Sequence, residues 1–128
     1  MVTLKRINEG GVYVWTETAT QLTAVGVTDS VTIEGSTDHT VQVTVATIDT
    51  NVVIQLEGSV DGTNFFILPI EDSTVSGLAI SANVVTITAN GTYLLYVKET
   101  AIKQIRLNFV SEAGGAAATI DSKFYSQT

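Results

Sequence analysis

One histidine, no cysteine and thirteen carboxylates make up most of the reactive inventory of this 128-residue chain. His39 stands between Asp38 and Thr40. A hydrolytic triad would set it beside a serine and a carboxylate, yet no Gly-x-Ser-x-Gly elbow is present. The expectation for His39 is a solvated turn residue at the mouth of a strand. Zinc needs several His or Cys ligands, which one histidine cannot supply. The acids are spread over turns and outward strand positions, where solvation is their usual fate. No catalytic residue is assigned, and the chain reads as non-enzymatic, with no cofactor.

Three shorter patterns carry weaker chemistry. Asp61-Gly62-Thr63-Asn64 gathers oxygen ligands in a turn, which suits a hard cation, so Asp61 and Asn64 are calcium candidates. The stretch lacks EF-hand spacing and a terminal glutamate, and hairpin chemistry explains the same residues without a metal. Asn90-Gly91-Thr92 matches a glycosylation sequon but is also what a tight hairpin wants. Glu112-Ala113-Gly114-Gly115-Ala116 has no following Lys-Ser/Thr and is expected to be a strand-to-strand loop, not a phosphate loop. Among the aromatics, Phe65, Phe66 and Phe109 are expected to fill a core, whereas Tyr13, Trp15 and Tyr96 are the ones to test for exposure. A sugar-binding site would draw on Trp15, Tyr96, Gln42 and Asn64.

Positioning these residues falls to strands. Thr occurs 20 times, Val 17 and Ile 11, so three residues in eight are β-branched, stiff at χ1 and suited to a pleated surface. Val41, Val43 and Val45 alternate with Gln42 and Thr44; Val52, Ile54 and Leu56 alternate with Val53, Gln55 and Glu57. Ile105, Leu107 and Phe109 alternate with Gln104, Arg106 and Asn108. A period of two predicts strands with one buried face. Asn90-Gly91 predicts a type I′ hairpin between 84–88 and 93–97, and Asp61-Gly62 a second between 52–57 and 65–68. Further strands are expected at 12–15, 22–25, 31–34 and about 117–124. Residues 69–83 read as a long loop with one weak strand, and 98–103 as room for a helical turn. Strand 41–48 has neither proline nor charge, so it should be central in its sheet or covered. The fold class is all-β: a single antiparallel β-sandwich over residues 1–128, jelly-roll or Ig-like, with 1–11 as an extended arm beyond Asn8-Glu9-Gly10-Gly11.

Composition narrows the partners. Area scaling gives roughly 6,500 Å² exposed when folded against roughly 19,600 Å² unfolded, enough burial for one core without metal or disulfide. Six cations against thirteen acids give a net charge of −7, and only Lys5 and Arg6 are neighbours. Nucleic-acid binding relies on clustered cations, so DNA and RNA are not expected partners. No apolar run approaches 18 residues, no secretory signal is expected, and no membrane partner is assigned.

The segment Glu57-Gly58-Ser59-Val60-Asp61-Gly62-Thr63-Asn64-Phe65-Phe66 resembles the strand–turn–strand of small β-sandwich virion proteins of tailed bacteriophages. Ile87-Thr88-Ala89-Asn90-Gly91-Thr92-Tyr93, Ile105-Arg106-Leu107-Asn108-Phe109 and Gly114-Gly115 before the last strand are similar to later parts of that pattern. The resemblance covers about 52–124. Discoidin-type and carbohydrate-binding sandwiches share a similar turn and late strand, although this chain has Phe65-Phe66 where such modules often place tryptophan. The phage resemblance implies a capsid decoration or auxiliary protein, or a fibre or tail accessory subunit. It implies assembly in the bacterial host cytoplasm into the virion, with itself (a homo-oligomer such as a trimer) and other virion proteins as partners. The second resemblance implies a module contacting host-surface glycans.

Overall fold

The computed structural model describes residues 3–9, 12–72, 79–114 and 117–128, and the side chains of these except 3–9, 12–15, 72 and 79. The period-two segments become strands, and no described residue is helical. The strands are β1 (Thr3–Glu9), β2 (Val12–Thr18), β3 (Gly26–Val27), β4 (Val31–Thr32), β5 (Asp38–Ala46), β6 (Asn51–Ser59), β7 (Phe66–Ile67), β8 (Glu71–Asp72), β9 (Ala79–Ser81), β10 (Val84–Ile87), β11 (Gly91–Val97), β12 (Gln104–Ala113) and β13 (Thr119–Gln127). They form two antiparallel sheets packed as a β-sandwich. Sheet A runs β1-β2-β13-β5-β11-β8; sheet B runs β3-β12-β6-β10-β9, with β4 also on β12 and β7 also on β6.

The inner faces interlock as the alternation requires. Val41, Val43 and Val45 of sheet A, with Leu95, Ile120 and Phe124, meet Val52, Ile54, Leu56, Val85, Ile105, Leu107 and Phe109 of sheet B, all buried. β5 lies between β13 and β11, the central position expected of it. At Gly58 a Cβ would stand 2.8 Å from the side chains of Leu68 and Ile102, so the glycine lets those two close over the end of β6.

Several local expectations fail, each for a physical reason. Thr3–Glu9 does not leave the sheet as an arm, because it is β1, paired with β2 along its whole length. Asn90-Gly91 makes no hairpin: β10 belongs to sheet B and β11 to sheet A, and Asn90 Oδ1 accepts from the Ile48 amide at 2.9 Å. The two consecutive positive φ angles that a type I′ turn needs occur at Ala82 (51°) and Asn83 (63°), which join β9 to β10. The Asp61-Gly62 hairpin is present, but its second strand is only β7. Of 22–25, only Leu22 bridges, to Ile120, and 31–34 shrinks to β4. Residues 98–103 hold no helical turn; Glu99 adopts a φ of 52° instead. Strand 117–124 begins at Thr119 and runs on to Gln127. The weak strand in 69–83 is β9, while 73–78 lie outside the described residues, as do Gly115 and Ala116 of the expected glycine loop.

Phe109 is the largest fully buried side chain among the described residues, and Phe109→Ala should lower stability by about 3–5 kcal/mol in urea unfolding, with the m-value unchanged. Ser122 is buried with its Oγ unpartnered, so Ser122→Ala should be neutral or stabilising in the same measurement.

Candidate functional site

The pairing register sets out the outer face of sheet A in rows. Thr40 of β5 is opposite Tyr125 of β13 on one side and Tyr96 of β11 on the other; Thr16 of β2 completes that row beyond Tyr125. The next row is Thr18, Lys123, Gln42 and Leu94. Since the residues between them in each strand are buried, these point to solvent. A shallow depression of about 410 Å³ lies between Thr16, Thr40, Gln42, Leu94, Lys123 and Tyr125. A second, of about 390 Å³, is lined by Tyr96, Lys98 and Gln127 and meets the first at Thr40. Lys98 Nζ stands 5.7 Å from the Tyr96 ring centroid and pairs with Glu71 Oε2 at 3.1 Å. Gln42 and Lys123 make no side-chain hydrogen bond among the described residues.

Beneath the second depression sits His39, and here the expectation of a solvated turn residue is corrected. His39 belongs to β5, on the same side as Val41 and Val43, and is 2% exposed. Its Nε2 is 2.9 Å from the Thr100 carbonyl oxygen, which can only accept, so Nε2 carries the proton. Nδ1 therefore accepts from Ser126 Oγ at 2.7 Å. The imidazole thus clasps β13 and the 98–103 connection to β5, and burial lowers its pKa against the opposing pull of the Thr100 carbonyl and Asp38. Glu17, on β2, is also buried; burial, then the charge of Asp29, pushes its carboxyl up.

The outer face of sheet B carries a different arrangement. Glu57 Oε1 accepts from Arg106 Nε at 2.8 Å, and Oε2 accepts from Gln55 Nε2 at 2.9 Å and Asn108 Nδ2 at 3.1 Å. Burial pushes this carboxyl up, but the hydrogen bonds from Arg106, Asn108 and Gln55 and the guanidinium charge outweigh it, and the net shift is down. The Arg106 guanidinium lies 3.8 Å from the Phe65 ring centroid. Phe65 is half-buried under that cation and Phe66 is 68% exposed, so neither fills the core as expected. β7 is two residues long, and both its side chains, Phe66 and Ile67, are exposed among the described residues.

The calcium candidates do meet, but through each other. Asp61 Oδ1 accepts from Ser59 Oγ and from the amides of Thr63 and Asn64, and Oδ2 accepts from Asn64 Nδ2 at 2.7 Å. Those bonds, led by the two amides, hold the Asp61 carboxyl far below the usual range. The ligand-like residues are thus an internally closed Asx turn. Of the sugar-contact candidates, Gln42 and Tyr96 share the outer face of sheet A, while Asn64 lies in the β6–β7 turn of the other sheet. The side chains of Tyr13 and Trp15 lie outside those described; the Trp15 backbone is opposite Ser126. Sequence reasoning missed Tyr125, Thr40 and Lys123.

No family model matches the chain, and no curated protein matches it significantly. Among solved structures, the crystal structure of the SPBc2 prophage-derived protein YomS is similar, with a TM-score of 0.62 over 100% of this chain and 94% of that one. Sequence identity is 10%, so the likeness establishes a shared fold.

The buried imidazole makes stability depend on pH with a definite sign. The unfolded chain binds more protons than the folded one below the ordinary histidine value of 6.5, so this contribution is complete above 6.5 and shrinks as pH falls towards the folded value. Glu57 acts in the same direction only below the ordinary 4.5, whereas Glu17 favours the fold as pH falls. In thermal unfolding, the His39 contribution should pull Tm down from pH 7 to about 5, against the opposing rise from Glu17. That slope should flatten in His39→Gln while the Glu57 response below 4.5 remains.

Proposed function

We propose that the protein is a non-enzymatic structural component of a tailed-phage virion, a capsid decoration or auxiliary subunit or a fibre or tail accessory, acting through protein–protein assembly. The observation carrying this reading is the β6–β7 hairpin, where Val60 is 70%, Phe66 68% and Ile67 47% exposed. Large apolar side chains left exposed on a short edge hairpin mark a contact surface. Val25, Val27 and Val110 are exposed at the opposite margin of sheet B, beside β3 and β12. The internal saturation of Asp61, Glu57 and His39 also supports a structural use of these groups, since each is spent on fixing a turn, a sheet face or a strand. The fold shared with a prophage-derived protein is consistent with a phage setting.

Light scattering coupled to size exclusion tests the assembly. The expected result is a closed homo-oligomer, a trimer in the simplest case, that Phe66→Ser/Ile67→Ser converts to monomer with unchanged circular dichroism. A monomer at high concentration, with the double variant indistinguishable from the parent, would overturn it.

A further inference from the structure

The two outer faces of the sandwich treat their polar groups in opposite ways. On sheet B, Gln55, Glu57, Arg106 and Asn108 are consumed by one another. On sheet A, the Gln42 amide and the Lys123 ammonium have no internal side-chain partner among the described residues, and both border the same depression. Tyr125, 40% exposed, and half-buried Tyr96 flank Thr40 in adjacent strands of one row. Two strand spacings put their backbones about 10 Å apart, and the Lys123–Gln42 row lies about 7 Å along the strands.

We infer that this face is a binding platform for a short neutral oligosaccharide lying across β13, β5 and β11. A pyranose has an apolar C–H face and a rim of hydroxyls. Tyr125 supplies a ring for the first, while the Gln42 amide, Lys123 and the Thr40 hydroxyl supply donors and acceptors for the second. The tyrosine spacing suits successive or alternate sugar units. Charge argues for a neutral ligand: Lys98 is neutralised by Glu71, Asp121 lies two residues from Lys123 on the same outer face, and the chain carries −7. A peptide strand has no purchase here, because the backbones of β13 and β5 are paired on both sides. The site is on the opposite side from the β7 contact surface, so it goes beyond the assembly reading and fails or stands separately from it.

The test is amide shift mapping by NMR with maltotriose, cellotriose and tri-N-acetylchitotriose at millimolar concentration. At least one should shift amides in 16–18, 40–42, 94–96 and 123–125. Tyr125→Ala should weaken that binding by about tenfold or more, Gln42→Ala should weaken it too, and Phe66→Ser should leave it unchanged. Tyr125→Phe, which keeps the ring, should retain most of the affinity and guards against misfolding as the cause. No shift on this face with any of the three sugars would overturn the inference. Shifts confined to β7, or shifts on this face that follow protein dilution in the absence of sugar, would also overturn it, the last by showing that a second copy covers the platform.

Discussion

The register of β5 is the constraint on which the rest depends. It pairs through nine residues with β13 and seven with β11, so it fixes both halves of sheet A. Side chains alternate along a strand, so a slip of one residue would turn Val41, Val43 and Val45 to solvent and bury Gln42 and Thr44. The cost of exposing those valines locks the register, and the lock reaches further than the core. It places Thr40 between two tyrosines on the outside and His39 between Ser126 and Thr100 on the inside. The core, the polar clasp and the outer platform are three readings of one alignment.

Much of this alignment was legible in the sequence, because strands with one dry face must alternate. The inner residues of β5, β6 and β12 follow directly from their periods. His39 was legible too: stepping back two residues from Val41 along the same period reaches it. Its polar neighbours Asp38 and Thr40 look like turn chemistry, and reading them that way begins the strand too late. Tyr125 was lost by the same kind of truncation, since the last strand continues past Phe124 to Gln127. What local pattern could not supply is partnership. Asn90-Gly91 is ideal for a hairpin, yet the chain there passes from one sheet to the other, and the hairpin forms on Ala82-Asn83, whose residue types advertise it far less. Pairing is decided by which dry faces can be closed, a property of the whole chain.

The sheets divide the burden of polar burial unequally. Sheet B closes its outer polar groups into a network around Glu57, where charge-assisted bonds outweigh the upward push of burial on the carboxyl. That network knits β6 to β12 and pins Phe65 beneath Arg106, leaving Phe66 and Ile67 as the uncovered end of the sheet. Sheet A needs no such network, because its outer threonines carry small hydroxyls that water can serve. Thr44 pairs with Thr92 at 3.0 Å, and Asp121 in the same row accepts from Gln21 at 2.9 Å, both a row beyond the depression. The same economy leaves Gln42 and Lys123 available.

The C-terminal strand is where these features meet. β13 is inserted between β2 and β5, so sheet A is continuous only once Thr119–Gln127 is in place. Most of its pairing is with a strand about eighty residues earlier, a contact that must overcome a large loop-closure entropy before it returns any stabilisation. Ser126 and Tyr125 are adjacent in that strand and point to opposite faces, one to the imidazole and the other to the outer depression. The Thr37 amide, bonded to the Gln127 carbonyl at 3.0 Å, holds the same end from below. The polar clasp therefore does more than fill a gap at the end of the core. By tying β13 to β5 at that end of both strands, it fixes the backbone on which Tyr125 is carried beside the outer depression.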